Sequence, residues 1–288
     1  MRVRLALATT VLMWCAAFVA IRRAAPDYPI GGFLLLRFAV PAVAFAAWGI
    51  ARGGLLPPRG DRLRVVALAV FFVAYIGLLI AGERTVDAGT ASVLAETSPL
   101  FTFLAAALLL GEGFGLRLLL GLVVSFLGAV VIARAQGGSF HGSLGALLVV
   151  GAALAQAAMF IVQKPLLSRQ PAVRVISQAT IVAMLATLPF AGDLRQAISS
   201  APPSATASVV FVALTTGLVS YVTLAYAMAR SDSTGAVSSV LYLVPPGAVL
   251  ISWATLGELP RPLAVVGGVL AILGVAIVQR SPARARRA

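Results

Sequence analysis

The stretch YIGLLIAGERTVDAGTASVLAETSPLFTFLAAALLLGE, residues 75–112, returns 146 residues later as YVTLAYAMARSDSTGAVSSVLYLVPPGAVLISWATLGE, residues 221–258. The register holds without a gap when 75–134 is laid over 221–280, and 16 of 60 positions are identical. The identities include Tyr75/Tyr221, Arg84/Arg230, Gly89/Gly235, Ser92/Ser238, Pro99/Pro245, Leu110-Gly111-Glu112 with Leu256-Gly257-Glu258, and Gly128/Gly274. A shared apolar bias aligns Leu with Val, but it does not align Arg, Gly, Pro and Glu at one fixed spacing. The chain therefore reads as a duplication, with a first repeat over 1–136 and a second over 137–288 that ends in a short basic tail.

Composition decides the solvent. Of 288 residues, 60% are hydrophobic and 11% charged, and the mean hydropathy is +1.02, so the chain is an integral membrane protein built from α-helices. The formal charge of +13 does not point to nucleic acid, because the arginines are scattered at the ends of apolar runs rather than gathered on one face. Cys15 is the only cysteine and lies inside the first apolar run, which excludes an internal disulfide and a thiolate metal site. Lys164 is the only lysine among 22 basic residues, a bias of GC-rich bacterial genomes that suggests a bacterial inner membrane.

Ten apolar runs approach the roughly 20 residues that span a bilayer: 5–23, 30–51, 63–82, 88–110, 116–134, 143–163, 173–191, 205–228, 234–256 and 262–280. Turn chemistry separates them at Asp27-Tyr28-Pro29, Pro57-Pro58-Arg59-Gly60-Asp61, Gly111-Glu112-Gly113, Gly137-Gly138-Ser139, Ala201-Pro202-Pro203 and Leu259-Pro260-Arg261-Pro262. The start, Arg2 and Arg4 before Leu5–Ile21, has the form of a cleaved signal. Arg22-Arg23 and a second apolar run follow at once, which favours a retained first helix. With the N-terminus in the cytoplasm, 15 basic residues fall inside and 6 outside, so both termini are placed in the cytoplasm. Five spans per copy force the second copy to enter from the opposite side, giving inverted repeats whose rocking exposes a central site to each face in turn.

Motifs narrow the family. Trp14 and Phe18 in the first run, Leu36-Arg37-Phe38 in the second, Ala88-Gly89-Thr90-Ala91-Ser92 before Ser98-Pro99-Leu100-Phe101, and Leu110-Gly111-Glu112 closing the fourth run all point one way. With Tyr242-Leu243-Val244-Pro245 and Leu256-Gly257-Glu258 in the second half, the chain resembles the EamA-type transporters of the drug/metabolite transporter superfamily. That resemblance implies two five-helix halves, a central cavity lined from both, peripheral fifth and tenth helices, and transport of small metabolites, commonly export of amino acids or related compounds. No H-E-x-x-H motif, acidic or histidine cluster, phosphate-cradling glycine loop or nucleotide-binding domain is present, which argues against an enzyme or a primary pump and gives no sign of a cofactor or metal. A channel or facilitator, or a membrane sensor that moves nothing, remains the alternative.

Arg37 lies within FLLLRFAVPAVAF, about 10 Å below the outer end of its helix. A charge at that depth costs on the order of 3 kcal/mol and requires an interior partner. Glu96 falls at a similar depth, roughly 12 Å, in the fourth run. The two are expected to pair near the cavity, either as a static tie between helices or as a site where substrate or a coupling proton acts. Mid-depth polar and aromatic side chains complete the expected lining: Trp14 and its approximate repeat mate Gln156, Gln163, Gln178, Tyr75, Tyr221, Tyr226, Tyr242 and Ser92/Ser238. Each also has a simpler reading, as a side chain that only joins helices. Pro99 and Pro245 are read as mid-helix kinks, serving either as hinges or as fixed bends. Gly111-Glu112 and Gly257-Glu258 read as helix ends, with each Glu at the positive N-terminus of the helix that follows. His141 is placed in a solvated loop, and the arginines after Arg280 are placed against lipid head groups.

Overall fold

The computed structural model describes residues 3–24, 27–52, 56–86, 88–113, 115–135, 144–256 and 261–280, and every regular element among the described residues is helical. In chain order these are α1 (Val3–Ala24), α2 (Ile30–Arg52), α3 (Arg62–Glu83), α4 (Ala88–Ala95), α5 (Ser98–Leu109), α6 (Leu116–Ala135) and α7 (Leu144–Leu167). They continue with α8 (Ala172–Thr187), α9 (Ala191–Ser200), α10 (Pro203–Val212), α11 (Tyr221–Met228), α12 (Thr234–Ser238), α13 (Val244–Leu256) and α14 (Pro262–Gln279). A π-helical segment, Ala213–Ser220, joins α10 to α11, and a 3-10 stretch, Ser239–Leu243, joins α12 to α13. The expected features at Gly137-Gly138-Ser139, His141, Gly257-Glu258, Leu259-Pro260 and the tail after Arg280, and the side chains of Arg22, Arg23 and Ser92, lie outside the described residues.

Among the described residues, eight helical runs are long and apolar enough to cross a membrane: 30–52, 59–83, 116–135, 144–167, 172–200, 203–228, 234–251 and 262–279. Two shorter apolar stretches, Val3–Ala17 and Val93–Leu109, accompany them. The protein is a multi-pass helical membrane protein. Large apolar side chains such as Leu108, Leu116, Leu127, Val266 and Ile272 stand exposed on its flanks, as a surface facing lipid tails requires.

The fourth apolar run bends at a two-residue turn, where the sequence placed the Pro99 kink. It stops at Ala95, passes through Glu96 and Thr97, and restarts with Pro99 in the first turn of α5. Thr97 keeps right-handed helical dihedrals, φ -72° and ψ -17°, so the chain bends there, and the proline sits where its missing N–H costs no bond. In the ninth run, Tyr242 lies in the 3-10 stretch, and α13 follows without a gap, with Pro245 as its second residue.

α1 is built into the bundle: it packs on α10, the π segment, α11 and α13, and Thr10 Oγ1 lies 2.7 Å from Thr223 Oγ1. α3 packs on α7, and α2 on α8 and α9. The closest pairing is α6 with α14. A Cβ on Gly128 would lie 2.5 Å from the Ala271 nitrogen and 2.6 Å from the Gly267 carbonyl oxygen. A Cβ on Gly121 would lie 2.8 Å from the Gly274 carbonyl oxygen, and Ser125 Oγ donates to the Ala271 carbonyl at 3.2 Å. Glycine at these positions lets two backbones touch, the usual device where lipid gives helices no hydrophobic reason to associate. The contacts run down α14 as they run up α6, so the two helices are antiparallel.

Candidate functional site

A cavity of about 870 Å³ enters the bundle between α1, α2, α3 and the segment running from the π turn into α11. Its wall repeats at helical spacing: Trp14, Ala17 and Ile21 on α1; Phe33 and Arg37 on α2; Tyr75, Ile76, Leu79, Ile80 and Glu83 on α3. From Tyr75 to Glu83 is about 12 Å along the helix axis, with only apolar side chains between. Asp27, Tyr28 and Arg84 complete the outer end, where Asp27 and Arg84 are exposed and the Arg84 guanidinium donates to the Tyr28 carbonyl at 2.6 Å.

The inner end is aromatic. Trp14 meets Tyr221 edge-on at 5.6 Å, Tyr221 meets Phe72 at 4.5 Å, and Phe72 meets Phe38 at 5.0 Å. Such edge contacts each contribute about 0.5–1.5 kcal/mol beyond burial, which holds the floor rigid. Arg37 lies against this floor at 4% exposure, with its Nη1 donating to Thr216 Oγ1 at 2.6 Å and its guanidinium beside the Tyr221 hydroxyl. Thr216 belongs to the π segment, which widens the helix opposite α2; Gly217, one residue on, stacks against Pro41 with 3.1 Å left for a Cβ. π-helical turns recur at functional sites because they shift one face of a helix out of register.

The expected Arg37–Glu96 pair does not form. Among the described residues the sole ion pair within 4 Å is Arg169–Asp61, at 3.0 Å. Glu96, in the turn before α5, is not on the cavity lining, and Arg37 Nη1 donates to Thr216 Oγ1 where a carboxylate was expected. Arg37 Nε and Trp14 Nε1, both donors and both on the cavity lining, are buried without a protein acceptor. An interior charge held only by neutral groups is costly, and the cheapest relief is an anionic ligand.

Of the other expected lining residues, Tyr75 and Tyr221 reach the cavity. Gln156, Gln163, Gln178, Tyr242 and Glu96 are buried but lie outside its lining. Tyr226 instead stacks under the Arg230 guanidinium, 3.7 Å from its ring centre. Tyr28, Phe33, Glu83 and Thr216 escaped the sequence reading. The 3–4 spacing that joins Tyr75 to Glu83 was present on α3, but a helix that is apolar all round gives that spacing no contrast.

At the opposite end of α3, about 33 Å from Glu83, the bundle is tied shut. Asp61 accepts from Arg169 Nη1 and Gln170 Nε2, both at 3.0 Å. The Glu112 carboxylate accepts from the Thr234 backbone N–H at 2.7 and 2.9 Å and from its hydroxyl at 2.5 Å. Gly111 ends its helix with a φ of 63°, as expected, but Glu112 does not serve the helix that follows. It caps α12, 122 residues away, because the left-handed turn at Gly111 aims it across the bundle.

With this geometry in hand, known proteins place the chain. The model of the EamA-like transporter family matches residues 2–134 and again 143–280. The chain belongs to the EamA-like transporter family. It is similar to a probable terminal-alkyne amino-acid exporter of Streptantibioticus cattleyicolor, at 39% identity over 98% of this chain and 95% of that protein. It is also similar to the uncharacterized transporter YdfC of Bacillus subtilis, at 30% identity over 91% of this chain and 86% of that protein. A crystal structure superposes with a TM-score of 0.77 at 20% identity, over 96% of this chain and 95% of that one, and speaks for the fold alone. This EamA protein is a transporter and not an enzyme.

Proposed function

We propose that this EamA protein is a secondary carrier in the bacterial inner membrane that exports amino acids with apolar side chains by alternating access. The observation that carries the substrate reading is Arg37: a buried guanidinium on the cavity lining whose protein partners are all neutral, beside an unpaired Trp14 N–H. These two donors suit a carboxylate, the aromatic floor suits an ammonium through its ring faces, and the apolar wall of α3 suits an aliphatic side chain. The name of the Streptantibioticus cattleyicolor relative supports the same class of solute and the outward direction.

Alternating access is supported by the repeat. Gly121 meets Gly274 while Gly128 meets Gly267, and in each pair the partner is the repeat mate of the other pair's glycine. Reciprocal contacts between antiparallel helices suit halves related by an axis in the membrane plane. On this reading the eight long runs and the two shorter ones are ten spans, both termini are cytoplasmic, the cavity faces outward, and the Asp61 and Glu112 contacts close the inner side. The test is counterflow: proteoliposomes loaded with unlabelled L-propargylglycine should accumulate labelled L-propargylglycine transiently. Flux without trans-stimulation would mean a channel, and no flux with any neutral amino acid would remove the proposal.

A further inference from the structure

Beneath the cavity floor lies a second polar site that the substrate reading does not use. Glu96 occupies the two-residue gap between α4 and α5 at 9% exposure, and its Oε2 has no hydrogen-bond partner. The side chain of Tyr242, at the same place in the second repeat, is fully buried in the 3-10 stretch, and its hydroxyl is also without a partner, as is the buried Ser98 hydroxyl two residues beyond Glu96. A buried carboxylate and a buried phenol thus stand at equivalent places of the two repeats, within electrostatic reach of each other.

The ionisable groups within electrostatic reach of Glu96 include Cys15 on α1, Tyr75 on α3 and Tyr242. α6 and α7, which also pack on α4, carry their charged residues at their ends, as Arg117, Arg134 and Lys164. No cation neutralises Glu96 within 4 Å among the described residues. Tyr75 lies within electrostatic reach of both Arg37 and Glu96, and it lines the cavity while Glu96 does not.

We propose that Glu96 is a proton-binding site, exchanging one proton between its carboxylate and water as the bundle changes conformation, and that its occupancy is linked through Tyr75 to ligand binding at Arg37. A proton suits the site better than a metal cation: one carboxylate oxygen and one phenol suffice to hold it, and no coordination shell is required. The linkage rests on the carboxylate reading of the Arg37 cavity, whereas the proton site does not.

Calorimetric titration of the full-length protein with L-propargylglycine, in two buffers of different ionisation enthalpy, reads affinity and proton count together. Wild type should transfer up to about one proton per ligand, and Glu96→Gln should bind with that transfer lost. Proton transfer that persists in Glu96→Gln, its absence from wild type, or a requirement for sodium in place of pH would overturn the linkage. If Glu96→Gln does not fold, Tyr242→Phe serves instead: it should keep the transfer but move the pH at which it is largest, and an unmoved profile counts against the site. If L-propargylglycine does not bind wild type, the substrate reading fails by itself. Infrared pH-difference spectra then decide for Glu96, by whether a titrating carboxyl band vanishes in the variant.

Discussion

At the scale of single residues, the ligand-binding role proposed for Arg37 rests on a buried guanidinium with no carboxylate within 4 Å among the described residues. Its helix could have carried leucine at that position at no cost, and instead it holds a guanidinium against Thr216 and Tyr221 with Nε left over. A charged hydrogen bond contributes about 1.5–3 kcal/mol, so Arg37→Ala should weaken apparent substrate affinity roughly 10- to 100-fold at unchanged membrane abundance. Arg37→Lys should recover only part of it, because an ammonium cannot bond Thr216 and a carboxylate with one planar fork. Efflux kinetics beside quantitative blotting would check both, and unaltered kinetics in Arg37→Ala would reduce the residue to a tie between α2 and the π segment.

At the scale of elements, two interfaces do different work. α6 and α14 meet backbone to backbone, and a Cβ at Gly128 would stand within 3 Å of three backbone atoms that cannot swing aside. Gly128→Leu should therefore cost about 1–3 kcal/mol and lower the unfolding temperature in detergent. Gly60→Ala, where nothing lies within 4 Å, should leave that temperature unchanged. The Glu112–Thr234 contact is polar and reversible by comparison. Losing a cap of this kind costs about 0.5–2 kcal/mol, so Glu112→Gln should favour the conformation open at that end, read as faster thiol labelling of a cysteine placed at Gln170 in a Cys15→Ala background.

At the scale of the molecule, the bundle is open at one end of α3 and tied at the other. Cysteines at Glu112 and Thr234, joined by a short bifunctional thiol reagent in the Cys15→Ala background, should stop flux while leaving ligand binding intact. Cross-linked protein that still transports would show that this end need not open. The whole-chain match to the EamA-like family was legible in the motifs, and most spans were legible to within a few residues. The site was only partly so. Trp14, Arg37, Tyr75 and Tyr221 were singled out because polar or aromatic side chains are conspicuous in an apolar run, and they line the cavity, whereas Phe33 and Thr216 look like any other packing residue until the helices are placed.

The sequence alone determined that the chain is a duplicated helical membrane protein, because hydropathy, turn residues and the 146-residue repeat are local properties that survive without coordinates. Depth along a helix can also be counted from sequence, and by depth Arg37 and Glu96 belonged together. Only the tertiary structure decided that they do not pair. Glu96 falls in the turn between α4 and α5, the π segment brings Thr216 to Arg37, and Gly111 turns Glu112 toward α12. Each of these is a matter of azimuth around a helix axis, which a helix apolar on every side does not write into its sequence.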